Sequence, residues 1–155
     1  GASGAKRVTL AAEQSVEMED DVLAVSVSAC GRLVALALLD TTVRVLHGDS
    51  FKVALSLYGH RLPVLALDVS DDSSLCVTGS ADKNIKIWGL DFGDCHKSLF
   101  AHGDSVMAVR FVPRTHYAWT GGKDGLLKMW DCDRMCLVTV VRAHQGAVWG
   151  LAISA

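Results

Sequence analysis

Apolar and polar residues alternate along this chain in short runs, not at helical spacing. The runs fall at 22–27, 33–37, 43–46 and 53–57, then at 64–69, 75–79, 85–88 and 95–100, then at 106–111, 117–120, 126–130 and 137–141. They are rich in Val, Ile, Leu and Ala and bounded by Gly, Asp and Ser, which predicts strands joined by tight turns. Asp71-Asp72-Ser73 is one such turn, because short carboxylates bond their own backbone. A further run, Ala147–Ile153, predicts one more inner strand. Residues 6–18 are weakly patterned. There Val8-Thr9-Leu10 and Ser15-Val16-Glu17-Met18 predict an outer strand belonging to a preceding sheet. The acidic stretch Glu17–Asp21 reads as a solvated turn.

The runs repeat without insertion. His60, His102 and His144 are spaced by 42 residues, and so are Asp40, Asp82 and Asp124, then Leu46, Trp88 and Trp130, then Val22, Val64, Val106 and Val148. Four position classes in phase define a repeat, and its length lies in the window of roughly 40–45 residues of four-stranded propeller blades. Within one period the order is Tyr58-Gly59-His60, an alternating strand, Thr78-Gly79-Ser80-Ala81-Asp82, and Ile85-Lys86-Ile87-Trp88. That order resembles a WD40 repeat, with Gly-His near its start and a Trp-Asp-like pair near its end. The expected fold is all-β: a WD40 β-propeller fragment of three complete four-stranded antiparallel blades with one flanking strand at each end. A ring of typically four to eight blades does not close from these. The predicted division is 1–16 (a cloning remnant, Gly1–Gly4, and the outer strand of a preceding blade), 17–60 (a degenerate repeat), 61–102 and 103–144 (full repeats) and 145–155 (the start of another). The first repeat is degenerate because Met18, Leu36 and Leu46 stand where the next has His60, Thr78 and Trp88.

His60, Thr78 and Asp82 invite comparison with a hydrolase triad, as do His102, Thr120 and Asp124. A nucleophilic site needs an activated hydroxyl and an oxyanion pocket. The same set occurring once per repeat is redundant for catalysis and suits architecture. The resemblance implies a buried relay of His60, Thr78, Asp82 and Trp88, and another of His102, Thr120, Asp124 and Trp130, since a buried indole N–H needs an acceptor. No catalytic residue is expected, and the chain is read as a non-enzyme. Cys132 and Cys136 with His144 supply fewer than the four ligands of structural zinc, so neither metal nor cofactor is expected.

Composition adds a few exclusions. Net charge is −2 over 155 residues, half of them apolar, and no basic run forms, which argues against a self-sufficient nucleic-acid binder. No apolar run approaches the roughly 18 residues of a membrane span. Five cysteines, an odd number, suit reduced thiols in an intracellular compartment. Gly121-Gly122-Lys123-Asp124-Gly125 joins strand to strand and so is no phosphate loop.

One segment is more specific than a generic repeat. Trp88-Gly89-Leu90-Asp91-Phe92-Gly93-Asp94-Cys95-His96, with Phe111-Val112-Pro113 and Gly122-Lys123-Asp124 in the next repeat, resembles a WD40 family of the small-subunit processome. The likeness covers roughly residues 19–154 and would place them near the end of the second of two tandem propellers. It implies a non-catalytic scaffold in small-subunit biogenesis and pre-rRNA processing, a nucleolar location, and partners among processome WD40 and scaffold proteins and snoRNP components. Contact with RNA would be indirect. A generic WD40 adaptor, such as a ubiquitin-ligase or signalling platform, is the alternative. In such a fold Arg61, Ala81, Lys83, Lys123 and Gln145 would line one rim, the expected partner-binding face. The isolated chain is expected to self-associate.

Overall fold

The computed structural model describes residue 9 and residues 14–154. Twelve strands and no helix occur among them: β1 (Val22–Val27), β2 (Leu33–Leu38), β3 (Val43–His47), β4 (Val53–Leu57), β5 (Val64–Val69), β6 (Leu75–Ser80), β7 (Asn84–Gly89), β8 (Cys95–Phe100), β9 (Val106–Phe111), β10 (Tyr117–Gly122), β11 (Leu126–Asp131) and β12 (Cys136–Arg142). They form three four-stranded antiparallel meanders, β1-β2-β3-β4, β5-β6-β7-β8 and β9-β10-β11-β12. Every predicted strand of the three repeats is present, extended by a residue or two at some ends.

The turns repeat with the strands. Between the second and third strand of each blade, a carboxylate accepts from the amide two residues on: Thr42 N to Asp40 at 3.0 Å, Asn84 N to Asp82 at 3.0 Å and Leu126 N to Asp124 at 3.1 Å. This Asx turn swings the intervening residue to positive φ, at Thr41, Lys83 and Gly125.

The blades stack face to face. Between the first and second, Ala35, Ala37, Val43, Val45 and Leu57 meet Leu67, Val69, Cys76 and Trp88. Between the second and third, Val77, Ile85 and Ile87 meet Val106, Val109, Phe111, Ala118 and Trp130. Gly79 lets the third blade approach, because a Cβ there would lie 2.5 Å from Val106 Cγ1. Asp68, central on β5, ties all three blades: Ser26 Oγ donates to Oδ1 at 2.9 Å and Phe111 N to Oδ2 at 2.8 Å.

The flanking segments differ from expectation where they are described. Val8 and Leu10 lie outside the described residues, and Ser15–Met18 forms no strand. Ala147–Ile153 is likewise no strand. It runs over the outer face of the third blade, with Val148 N donating to Gly122 O at 2.9 Å and its side chain above Gly121. A ladder needs a strand alongside, and none of the described residues supplies one to either segment.

Candidate functional site

The repeated polar set is drawn together twice with nearly the same geometry. In the second blade Trp88 Nε1–H donates to Thr78 Oγ1 at 2.9 Å, Thr78 Oγ1 lies 2.7 Å from His60 Nε2, and His60 Nδ1 lies 2.9 Å from Asp82. The third blade repeats this with Trp130, Thr120, His102 and Asp124 at 3.0, 2.8 and 3.0 Å. Trp only donates, so the Thr78 hydroxyl spends its proton on His60 Nε2, which fixes His60 as the neutral Nδ1–H tautomer donating to the carboxylate. The electrostatics agree. Burial lowers the pKa of His60 and of His102 despite their carboxylates. Asp82 and Asp124 also end below the usual range. Burial alone would raise them, but the His60 bond at Asp82 and backbone amides at both outweigh it.

Each hydroxyl is thus already committed to one donor and one acceptor, and is buried. Neither set leaves its hydroxyl free as a nucleophile. In the first blade the relay is absent: Met18, Leu36 and Leu46 stand in the His, Thr and Trp places, with Leu36 and Leu46 both buried, while Asp40 keeps its place and accepts from Thr42 instead. Replacing the His, Thr and Trp members together by apolar groups is tolerated, since no buried donor or acceptor is left unpaired.

A second polar cluster at the opposite end of the blades was not foreseen. His116, in the β9–β10 turn, stands 2.8 Å from Asp72 through Nε2 and 2.7 Å from Asp133 through Nδ1, with Ser74 Oγ 3.3 Å from Nε2. Asp72, His116 and Asp133 border an open cavity of about 510 Å³. Ser74, His116 and Asp133 look like a nucleophile with its base and orienting acid. However, Asp72 intervenes, accepting from the Ser74 hydroxyl at 2.7 Å and from His116. Partial burial opposes charging of His116, but the bonds to Asp133 and Asp72 prevail and its pKa is raised. Held between two carboxylates, His116 is a staple joining the second and third blades. The single sequence carried no signal for it, because the histidine does not repeat. Nearby, the exposed Cys30 thiol is drawn down to about 6 by hydrogen bonds with Ser28, Ser73 and Arg32. None of the five cysteines is paired. Cys132 is buried between blades, and Cys136 is exposed on β12.

The histidines act in opposite directions on stability. His60 and His102 have folded pKa values below 6.5, so their contribution is present above about pH 6.5 and lost on acidification below it. His116 is raised, so its contribution is full below about pH 6.5 and is lost as pH rises through its folded value. With Cys30 replaced by serine, so that its lowered thiol does not titrate in this range, urea-unfolding midpoints should therefore peak at about pH 6.5. His116→Gln should flatten the decline on the alkaline side and leave the acid side unchanged. A decline that was the same on both sides in that variant would refute the assignment.

The residues anticipated to face partners lie in the connections at the relay end. The link from one blade to the next meets the turn between second and third strands there: Ala81 N donates to Pro63 O at 3.1 Å, His102 N to Lys83 O at 3.2 Å and Lys123 N to Ser105 O at 2.9 Å. Arg61, Lys83, Lys123 and Gln145 are exposed there and Ala81 is half-buried. Lys123 Nζ sits 5.6 Å from the ring centroid of Trp149, which is itself exposed.

Comparison with known proteins agrees with this architecture. The solved structure described as "Structure of U3-55K" superposes with a TM-score of 0.82 at 20% identity, over 87% of this chain and 43% of that one. The RRP9 WD40 repeats give 0.82 at 21%, over 87% and 42%. At such identities the likeness is one of fold. Among curated relatives, U3 small nucleolar RNA-associated protein 12 of Saccharomyces cerevisiae is 53% identical over 56 residues, 36% of this chain and 6% of that protein. WD repeat-containing protein 3 of Homo sapiens is 49% identical over 59 residues, 38% of this chain and 6% of that protein. The stretches matched are thus a small part of those relatives. A family model described as the WDR3 second beta-propeller domain matches residues 2–155. With a match along nearly the whole sequence and the stacked four-stranded blades such a domain requires, this chain belongs to the WDR3 second beta-propeller domain family.

Proposed function

We propose that the chain is part of a non-catalytic interaction scaffold in ribosomal small-subunit biogenesis, working in the nucleolus among processome proteins and U3 snoRNP components. One observation carries this reading: family membership along residues 2–155, with a relative whose name ties it to U3 small nucleolar RNA. The relays support it, because the polar groups that could do chemistry are consumed in holding strands together. What remains for function is surface. The relay-end rim, with Arg61, Ala81, Lys83, Lys123 and Gln145, is the docking face in this reading. Partners meet the protein directly and RNA through them. Taken alone, residues 1–155 associate through the outer faces of the first and third blades.

Charge reversal at Lys83 and Lys123 in the full-length protein tests the docking face. Co-purification of processome components should fall, while location in the nucleolus and the unfolding midpoint hold. Unchanged co-purification would assign docking to another face. Cytosolic enrichment of the wild-type protein without pre-rRNA would favour a generic WD40 adaptor instead.

A further inference from the structure

At the relay end of the second blade, beside the connection that leads into it, lies a cavity of about 430 Å³ lined by Gly59, Arg61, Asp82, Asn84, Lys86 and Ser98. Lys86 and Ser98 pair across β7 and β8, so their side chains stand together on the face that turns toward the first blade. Gly59, at φ +154°, arches over them. A Cβ at Gly59 would lie 3.4 Å from Lys86 Cε and 3.6 Å from its Nζ. The one carboxylate, Asp82, is fully engaged by His60 Nδ1, Arg61 N and Asn84 N. The four remaining polar side chains (Arg61, Asn84, Lys86 and Ser98) can all donate. None has a hydrogen bond or ion pair among the described residues.

The other blades show that this is not a routine feature of the repeat. In the third blade the matching lysine, Lys128, donates to Ala101 O, and Gly103, Leu126 and Val140 replace Arg61, Asn84 and Ser98. In the first, Arg44 stacks 5.5 Å from the Tyr58 centroid, donates to Thr42 and faces Glu19, which replaces Arg61. The uncommitted donor set occurs once, in one blade.

We propose that this pocket binds a single phosphorylated serine or threonine side chain of a partner protein. Two cations flanked by an amide and a hydroxyl match a dianion with three acceptor oxygens better than a carboxylate with two. An isolated site also argues against RNA, whose evenly spaced phosphates call for a track of cations along the surface. The proposal specifies the chemistry of a partner at the docking face proposed above, and its test requires no processome.

Full-length protein is passed over a degenerate peptide library carrying a fixed phosphoserine or phosphothreonine, and over the same library with serine and threonine. Binding to poly(U) is measured in parallel. Wild type should be retained on the phosphorylated resin only. Arg61→Gln with Lys86→Gln should weaken retention about tenfold or more, at an unchanged unfolding midpoint. Lys52→Gln with Lys97→Gln, the same charge change at exposed lysines elsewhere, should not. Equal retention on both resins, no retention, or full retention of the pocket variant overturns the proposal. Poly(U) binding that depends on Arg61 and Lys86 without phosphopeptide retention would make this an RNA phosphate site and overturn it too. Failure here with loss of co-purification on Lys83/Lys123 reversal removes the pocket and keeps the docking face.

Discussion

Trp88→Phe is expected to destabilise the fold by about 1–3 kcal/mol, because a ring of similar bulk remains while the donor to Thr78 is lost. The site is buried throughout: Thr78 is 0% exposed, Trp88 2% and His60 6%. No water reaches the Thr78 oxygen to replace the indole. Thr78→Val keeps shape and removes the central hydroxyl, so it leaves the Trp88 donor and the His60 acceptor both unpaired. It should cost a comparable amount. The double variant should cost clearly less than the sum of the two, since either change breaks the same chain of bonds. Denaturant unfolding of the four proteins gives the coupling directly, and strict additivity would mean that Trp88 and Thr78 are energetically independent. The first blade shows the other way of meeting the same constraint. With Leu36 and Leu46 in these places no donor exists to be stranded, so an aliphatic exchange there should follow lost volume alone.

The strands and their grouping were legible because both rest on local signals. Alternation gave β5 and β9 to the residue, and the 42-residue ruler grouped twelve strands in fours before any contact was known. The relay members were legible for the same reason, since His60, Thr78, Asp82 and Trp88 return in phase. What the sequence hid does not repeat. His116 staples two blades through Asp72 and Asp133, which lie on different blades, and neither the repeat nor local pattern brings those three together. Asp68 joins three blades from the middle of an apolar strand, where a lone acid looks like noise. The donor pocket arises from what the repeat fails to supply: it exists because Lys86 lacks the partners that occupy Arg44 and Lys128. At Ser15–Met18 and Ala147–Ile153 alternation predicted strands that do not form, because a strand is defined by its neighbour as much as by its own pattern.

Residues 1–155 in isolation should not behave as a monomer. Equivalent positions in successive blades show why. Leu67 and Val69 on β5 are 2% and 5% exposed, and Val109 and Phe111 on β9 are 1% and 6%, because each packs on the blade before it. The matching Val25 and Val27 on β1 are 57% and 58% exposed. The opposite side of the stack repeats the contrast: Val77, Ile85 and Ile87 are sealed by the third blade, whereas Trp119, Leu127 and Met129, in the same places one blade on, are only half-buried beneath Val148 and its neighbours. Soluble monomers seldom expose contiguous apolar faces of this kind beyond a few hundred Å². The two faces also have the shape that such sheets bury against one another. One copy's first blade can therefore stack on another's third, with each contact removing apolar area worth roughly 25 cal/mol per Å². Size-exclusion chromatography with light scattering should give a mass of at least two chains that falls on dilution. Val25→Lys with Val27→Lys, placing charge on the β1 side of the stack, should shift the distribution toward monomer. A single species at 16.5 kDa, unfolding cooperatively at a midpoint independent of protein concentration, would show that three blades suffice and that the outer faces are satisfied without a neighbour.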